Sequence, residues 1–416
     1  MRTCLLLLAL VFLCSAAPAQ TDLTARARKL LDEVPLVDGH NDVPWEFKQR
    51  VKNHLGQIDL RSDTGTLEKP MHTDIARLKK GGVGGQFWSV YIPADLAGPQ
   101  AVRAVMEQID VVHRLAAMYP DVFEIATSPQ DVYRIHRDGK IASLIGMEGG
   151  HSIDNSLGVL RQLYAAGARY MTITHSKNID WADSATDAPK HGGLTKFGEE
   201  VIREMNRLGM LIDLSHVSPD TMKDAMAVSE APVIFSHSSA RAIDAHPRNV
   251  PDEVLKMLPQ DGGVVMVTFV PSFVSEEVRT WNSQEDAEEA RLKALYPDDP
   301  KKVEADIETW RKEHPVPRAT LAQVADHIEH VRKVAGIDHV GIGSDFDGIT
   351  SVPVGLEGVD DYPALLAELL RRGWSDEDVK KLAGHNVLRV FREAEKVAQR
   401  LRKERPASDA LIEEMD

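Results

Sequence analysis

Short apolar runs recur along the chain, and stretches with helical periodicity separate most of them. The runs cover residues 34–37, 86–91, 141–148, 169–175, 210–216, 232–237, 263–269 and 339–345. Buried parallel strands joined by helical crossovers produce this alternation. Eight such units predict an α/β fold of the closed (β/α)8 type, a TIM-like barrel. An open doubly wound sheet would need a glycine-rich turn at its reversal point, and the glycines of 81–85 lack the dinucleotide-binding spacing.

Residues 274–318 depart from this alternation. They are long, strongly charged and helical in pattern, with a break at 296–300. We therefore predict a helical hairpin inserted after the seventh strand, and C-terminal helices from Asp376 to Lys403. A lid, an oligomer contact and a solvated surface decoration all remain open as roles for the hairpin.

The first residues have the three parts of a secretory signal peptide. A charged start at Met1-Arg2 precedes an apolar stretch from Leu5 to Leu13 and a small-x-small site at Ala17-Pro18-Ala19. We predict a signal peptide over 1–19 and a single domain over 20–416. The expected location is secreted, or periplasmic if the source is a double-membraned bacterium.

Composition narrows the possible partners. The net charge of -15 argues against nucleic acid or an anionic membrane surface. No second apolar segment is long enough to anchor the mature chain. Cys4 and Cys14 both lie within the predicted signal peptide, so the mature chain is expected to lack disulfides, thiol nucleophiles and thiolate metal sites.

Metal-compatible side chains stand at the ends of six of the eight runs. They are His40, Asp42, Glu148, His175, His216, His237 and Asp345. Active sites of such barrels lie where strands meet the following loops, so we expect these side chains to converge. With His175 set aside, three carboxylates and a bridging hydroxide would balance two divalent ions. Nitrogen and oxygen ligands without sulfur favour zinc, with manganese, cobalt and iron as alternatives.

The same residues lie in motifs that resemble the membrane (renal) dipeptidase family of zinc metallopeptidases, and the resemblance covers nearly the whole mature chain. The motifs are His40-x-Asp42, Gly146-Met147-Glu148-Gly149, Thr174-His175-Ser176, Asp213-Leu214-Ser215-His216, Phe235-Ser236-His237-Ser238, Gly343-Ser344-Asp345-Phe346-Asp347-Gly348, Arg248-Asn249-Val250-Pro251 and Gly384-His385-Asn386-Val387-Leu388-Arg389.

The resemblance implies a role for each site residue. His40, Asp42 and Asp345 would surround one zinc ion, His216 and His237 the other, and Glu148 would bridge both. His175 would contact the scissile carbonyl, and Arg248 would bind the free carboxylate of the substrate. The implied enzyme hydrolyses L-Xaa-L-Xaa and L-Xaa-D-Xaa dipeptides through a metal-bridging hydroxide.

These roles agree with elementary chemistry. A water shared by two metal ions is largely deprotonated near neutral pH and can attack a peptide carbonyl. Asp345 would accept its proton and pass it to the leaving amine. His175 would stabilise the oxyanion, and a bidentate Arg248 would restrict the enzyme to very short peptides.

Several residues keep two interpretations at this point. Arg241 competes with Arg248 for the substrate carboxylate. Asp347 resembles the start of a calcium loop, but the other ligand positions are absent, so we expect it to support Asp345. Trp88 and Trp181 are either pocket walls or core residues. His327 and His330 lie on the polar side of an amphipathic helix and are expected to be solvated.

Two rival functions remain. Another binuclear barrel hydrolase could act on lactones, cyclic amides or phosphoesters, and a zinc-binding or scaffold protein could have lost catalysis. The chain also departs from the animal members of the family, because it lacks mature cysteines and a tail suited to a lipid anchor. Disulfide-linked dimers and membrane attachment therefore do not carry over, although a homodimer remains possible.

Overall fold

The computed structural model describes residues 22–416. The predicted signal peptide, 1–19, lies outside the described residues. The nine strands of the described chain are β1 (Leu36–Asn41), β2 (Val83–Tyr91), β3 (Phe123–Ile125), β4 (Ile141–Glu148), β5 (Ala168–Thr172), β6 (Leu211–Asp213), β7 (Ile234–Ser238), β8 (Val264–Val267) and β9 (Val340–Ile342).

Helices follow most of the strands. They are α1 (Leu23–Glu33), α2 (Val43–Val51), α3 (Ile75–Lys80), α4 (Pro99–Met118), α5 (Pro129–Arg137), α6 (Leu157–Ala165), α7 (Lys196–Leu208), α8 (Pro219–Val228), α9 (Asp252–Leu255), α10 (Leu258–Asp261), α11 (Pro271–Val274), α12 (Glu276–Leu295), α13 (Pro300–Glu313), α14 (Leu321–Ala335), α15 (Tyr362–Arg371), α16 (Asp376–Lys380), α17 (Asn386–Glu404) and α18 (Ile412–Met415). None of the helices in 22–416 has the length and apolar character needed to span a bilayer.

Eight strands close a parallel barrel, which confirms the predicted fold class. Around the barrel the order is β1, β2, β4, β5, β6, β7, β8, β9, and β9 pairs with β1. The short strand β3 was not predicted. It pairs with the first three residues of β4, ahead of the place where β5 takes over that edge. Three residues are too few for a recognisable apolar run, which is why the pattern missed it.

Three of the strands that were predicted to end in a candidate ligand stop before that residue. We expected strands over 169–175, 210–216 and 339–345, but they end at Thr172, Asp213 and Ile342. His216 and Asp345 have φ angles of 70° and 69°, which a strand cannot contain. Their side chains therefore lie on loops that leave the barrel directly after the strand.

The helical insertion follows β8, which is the seventh strand of the barrel because β3 lies outside it, and this position agrees with the prediction. Helices α12 and α13 form a hairpin around a small apolar cluster of Leu292, Val303 and Ile307. The indole of Trp281 donates a hydrogen bond to the His314 carbonyl oxygen at 2.7 Å, which joins the two ends of the hairpin.

The C-terminal helices close the opposite end of the barrel from the candidate site. A π-helical turn, Lys381–His385, leads into α17, and Gly384 packs directly on the backbone of Pro35 just before β1. The Asn386 amide donates to the carbonyl oxygens of Ile337 and Val340 at 2.7 and 2.8 Å. The motif around Gly384 therefore supports the barrel and lies away from the candidate ligands.

Candidate active site

The candidate ligands meet at the carboxyl end of the barrel. Three overlapping groups have ligand atoms within 4.8 Å of one another; they are His40, Glu148 and His237; Glu148, His175 and His216; and His40, Asp42 and Asp345. All seven side chains named from the sequence are thus brought together. The structure adds His175 to the cluster, where we had expected an oxyanion contact without metal ligation.

Glu148 stands at the centre of this cluster. Its Oε1 lies 3.0 Å from His216 Nε2 and 3.6 Å from both His175 Nε2 and His237 Nε2. Its Oε2 lies 3.5 Å from His40 Nε2 and accepts a hydrogen bond from Ser89 Oγ at 3.2 Å. One oxygen faces one set of histidines and the other faces His40, which is the geometry required of a bridging carboxylate.

Two further carboxylates approach His40. The Oδ2 atom of Asp42 is 3.3 Å from His40 Nε2. A Cβ on Gly348 would lie 2.3 Å from Asp42 Oδ2 and 2.4 Å from Asp345 Oδ1. These carboxylates therefore converge on the same space, and only glycine leaves room for them.

The hydrogen bonds of Tyr170 fix the tautomer of His40. The Tyr170 hydroxyl lies 3.2 Å from the Gly39 carbonyl oxygen, which can only accept, so the hydroxyl proton is used there. His40 Nδ1, 2.9 Å from the same hydroxyl, must then donate to it. The Nε2 atom of a neutral His40 is left with a bare lone pair, and it has no hydrogen-bond partner among residues 22–416.

A second chain of hydrogen bonds fixes His237 in the same way. Ser236 Oγ donates to Asp213 Oδ2 at 2.6 Å and lies 2.8 Å from His237 Nδ1, which therefore donates to it. His237 Nε2 then presents its lone pair to His216 Nε2, 2.9 Å away. Such support of the distal ring nitrogen is typical of histidines that bind metal.

The electrostatics of the cluster favour a cation. Burial lowers the pKa of both His216 and His237 well below the usual value, and the positive charge of Arg248 lowers both further. Burial raises the pKa of Asp345 well above its usual range, and the carboxylates of Asp42 and Glu148 raise it further. Burial acts to lower the pKa of His40 as well, but Tyr170, Glu148 and Asp42 raise it well above the usual value. The neutral imidazoles of His216 and His237 and the crowded carboxylates, with nitrogen and oxygen donors alone, fit a divalent ion such as zinc.

His175 lies at the edge of the cluster, next to the solvent. Its side chain is 19% exposed, its Nδ1 is 3.1 Å from Ser176 Oγ, and its ring packs beside Tyr91 with a centroid distance of 5.0 Å. Burial lowers the pKa of His175, although Glu148 opposes that effect. A substrate entering the site would meet this ring early.

Arg248 is buried beside the cluster. Its guanidinium donates to Ser238 Oγ at 3.4 Å and to the His237 carbonyl oxygen at 3.3 Å, and its Nε has no partner among residues 22–416. Burial lowers the pKa of Arg248 to about 10, and Asp345 and Glu148 act against that shift. A buried cation with an unused donor is suited to bind a carboxylate.

Arg241 is occupied elsewhere. Its guanidinium donates to the carbonyl oxygens of Asn249 and Pro247, so it holds the backbone of the loop. Of the two arginines, Arg248 is therefore the one with hydrogen-bonding capacity left beside the cluster.

A cleft of about 1120 Å³ opens onto the cluster. Its walls include Trp45 and Tyr91, whose rings meet edge to face at 4.9 Å. Neither had been singled out, although Trp45 comes three residues after Asp42. Trp88 and Trp181 are core residues, 3% and 0% exposed.

Two other expectations are settled by the structure. Asp347 accepts a hydrogen bond from the His72 backbone N–H at 2.7 Å, so it braces the loop that carries Asp345. The expectation that His327 is solvated was wrong, because its ring is fully buried and its Nδ1 accepts a hydrogen bond from the Ala240 N–H. His330 is partly exposed and contacts Asp252 at 2.7 Å.

The sequence and fold are similar to those of known proteins. Residues 24–405 match the family described as membrane dipeptidase, peptidase family M19. The chain is 41% identical over 392 residues to Dipeptidase verJ of Clonostachys rogersoniana, covering 92% of this chain and 89% of that protein.

Solved structures agree in fold. The probable dipeptidase PvdM from Pseudomonas aeruginosa is 26% identical with a TM-score of 0.75, over 90% of this chain and 99% of its own. A metallo peptidase from Rhodobacter sphaeroides, liganded with a phosphinate mimic of the dipeptide L-Ala-D-Ala, is 24% identical with a TM-score of 0.70, over 87% and 99%.

Proposed function

This chain belongs to the membrane dipeptidase family of metallopeptidases, and we propose that it is a binuclear zinc enzyme that hydrolyses L-Xaa-L-Xaa and L-Xaa-D-Xaa dipeptides. The observation that carries the proposal is the buried Arg248, with an unused donor, beside a cluster of bare histidine nitrogens and carboxylates. A dipeptide has both groups that such an arrangement could bind, a carbonyl for the cluster and a free carboxylate for Arg248. The D-residue is included because the Rhodobacter sphaeroides peptidase binds a mimic of L-Ala-D-Ala.

In this proposal six residues would hold the zinc ions. His40, Asp42 and Asp345 would bind one ion, His216 and His237 would bind the other, and Glu148 would contact both. When bound, the ions would polarise the substrate carbonyl and activate a water molecule. The lone pairs that Tyr170 and Ser236 keep free on His40 and His237 support this assignment.

The remaining chemistry falls to side chains of this chain. Asp345 accepts a proton from the attacking water and passes it to the leaving amine. His175 stabilises the negative charge that develops on the carbonyl oxygen. Arg248 binds the carboxylate of the second residue, so a longer peptide would place its scissile bond out of reach.

The test compares dipeptides with their C-terminal amides. The parent enzyme should hydrolyse L-Ala-L-Ala and L-Ala-D-Ala with a kcat/KM at least about 100-fold above that for the amides, because an amide leaves the Arg248 charge unpaired. Arg248→Ala should lose most of this preference by losing activity on the free acids. Arg291→Ala, a change at an exposed ion pair on α12, serves as the matched control.

Three results would contradict the proposal. Equal hydrolysis of acids and amides by the parent would remove the carboxylate anchor. A preference for lactones, cyclic amides or phosphoesters would favour the rival binuclear hydrolase. Metal analysis of the active protein should find about two zinc ions per chain, and fewer than one at full activity would remove the binuclear site.

A further inference from the structure

The loop that carries Arg248 is held by the start of the helical insertion. We call residues 239–250 the anchor loop. One side of this loop adjoins β7, which Ser239 follows directly, and within the loop the Ser239 N–H donates to Asn249 Oδ1 at 3.2 Å. The other side contacts α11, which directly precedes the insertion, and α12, the first helix of the insertion. The insertion therefore lies against the residues that present the Arg248 guanidinium.

The central contact is an ion pair between the anchor loop and α12. Asp244 is fully buried, and its Oδ1 lies 3.2 Å from Nε of Arg279, whose side chain is 26% exposed. The second carboxylate oxygen of Asp244 has no hydrogen-bond partner among residues 22–416. Arg279 is the only cation that forms an ion pair with Asp244 among the described residues.

From Asp244 the contacts lead directly to Arg248. Asp244 Oδ1 accepts a hydrogen bond from the His246 N–H at 2.9 Å, and His246 Nδ1 accepts one from the Arg248 N–H at 3.2 Å. The His246 ring packs on Phe273 of α11 with a centroid distance of 4.2 Å. The Arg248 guanidinium carbon in turn lies over the Phe273 ring, 5.3 Å from the ring centroid.

We propose that Arg279, through Asp244 and His246, positions the Arg248 guanidinium, so that the insertion governs how tightly the enzyme binds the substrate carboxylate. The inference rests on the proposed dipeptidase function. Arg279 touches neither metal ligand nor substrate and acts as a positioning residue. A buried carboxylate that loses its cation must take up a proton or move toward water, and either change alters the turn that Asp244 forms with His246.

The experiment replaces Arg279 with an uncharged side chain of similar length. Arg279→Met should raise KM for L-Ala-L-Ala about tenfold and leave kcat within about twofold, because the chemical groups are untouched while the anchor is displaced. Activity on L-Ala-L-Ala amide should not change, since the amide does not use the anchor. Arg279→Lys, which retains the charge, should recover part of the lost affinity.

Matched variants separate positioning from general destabilisation. Arg291→Met makes the same substitution further along α12, where the arginine pairs with Glu288 alone among residues 22–416, and should leave both constants unchanged. Asp244→Asn keeps an oxygen that can accept from His246 while removing the charge. In that background Arg279→Met should add no further change in KM, because the ion pair is already lost.

The possible results separate failure of the positioning role from failure of the proposed function. If the parent cleaves dipeptides but Arg279→Met lowers kcat, leaves KM unchanged, or changes acid and amide hydrolysis equally, the positioning role is wrong while the proposed function stands. If the parent shows no preference for acids over amides, the proposed function itself fails. Should Arg279→Met not fold, additive effects of Asp244→Asn and Arg279→Lys on KM would overturn the inference and a non-additive pair would support it.

Discussion

At the scale of single residues, two of the proposed ligands lie in a backbone conformation that ordinary side chains avoid. His216 and Asp345 have φ angles of 70° and 69°, and Asp347 follows at 63°. Such residues cost free energy unless the surroundings hold them, and they collect at functional sites. Here the left-handed conformation follows the end of the strand and accompanies the position of the His216 and Asp345 side chains in the ligand cluster.

The proposed proton carrier gives the first prediction. Asp345→Asn should lower kcat by about 100-fold or more, because an amide cannot accept a proton from water. The fold should persist, since asparagine has nearly the same shape. Steady-state kinetics, thermal unfolding and zinc analysis of the same preparation make the measurement. Asp360→Asn, at a surface ion pair with Lys80, is the control, and near-normal turnover by Asp345→Asn would remove the assigned role.

The hydrogen bond between His40 Nδ1 and the Tyr170 hydroxyl supports a second prediction. Tyr170→Phe removes the acceptor for His40 Nδ1 and should weaken zinc binding by about 10- to 100-fold, as loss of a supporting partner does in other metal sites. Competition with a chromogenic chelator measures this without reference to activity. Tyr119→Phe removes a hydroxyl that is hydrogen-bonded to Leu60 and Asp59 instead. Equal zinc affinity of the two variants would disprove the support by Tyr170.

At the scale of elements, glycines set how closely strands and helices approach. A Cβ on Gly146 of β4 would lie 2.0 Å from the Tyr170 ring, so the ring reaches His40 only because that position is bare. Gly384 likewise allows the C-terminal π-helical turn to pack against Pro35, because a Cβ at this position would lie 2.1 Å from the Pro35 carbonyl oxygen. Both contacts involve groups that cannot easily move.

The third prediction concerns this second contact. Gly384→Ala should lower the free energy of unfolding by about 1–3 kcal/mol, because the methyl group forces the turn away from β1. Urea unfolding of the zinc-loaded protein measures the change. Gly56→Ala is the control, since its added Cβ would meet no atom within 4 Å. A Gly384→Ala protein as stable as the control variant would show that the turn adjusts without cost.

The helices also explain the error over His327. The helical periodicity of α14 places His327 on the polar side of the helix. In the fold, the anchor loop and α11 cover that side. Helical periodicity identifies the face that packs on the barrel, but a loop and a short helix from elsewhere in the chain can bury part of the opposite face.

At the scale of the whole molecule, the proposed zinc ions join strands that are distant in sequence. His40 lies near the end of β1, Glu148 ends β4, and Asp345 follows β9, more than 300 residues after His40. Ions that bind the folded chain and have little affinity for the unfolded chain stabilise it by mass action. Without them, buried carboxylates repel one another across the barrel mouth.

The fourth prediction follows from this linkage. Removal of metal by a chelator should lower the unfolding temperature, and zinc should restore it, with a stabilisation of about 4 kcal/mol when free zinc is roughly a thousand times its Kd. Calcium, which prefers oxygen ligands, should restore little. Calorimetry of the metal-free, zinc-loaded and calcium-treated protein makes the comparison. Identical unfolding of all three would argue against a metal centre that spans the barrel.

The sequence by itself determined the barrel and the membership of the site. Strand and helix periods are local properties, so eight apolar runs separated by helical patterns were enough to predict the fold. Ligand residue types at strand ends, together with the family motifs, identified the seven side chains that meet at the barrel mouth. The insertion and its break were also visible, because charge and helical pattern are read from neighbouring positions.

Only the tertiary structure decided which partner each side chain has. Three results depend on contacts between distant segments. Tyr170 accepts a hydrogen bond from His40, Arg248 rather than Arg241 keeps a free donor beside the cluster, and Arg279 forms an ion pair with Asp244. Residue periodicity carries no information about such contacts. They form because the closed barrel and its loops bring separate segments within a few ångströms of one another. The physical reason is that hydrogen bonds and ion pairs act over short distances in space, whatever the separation along the chain.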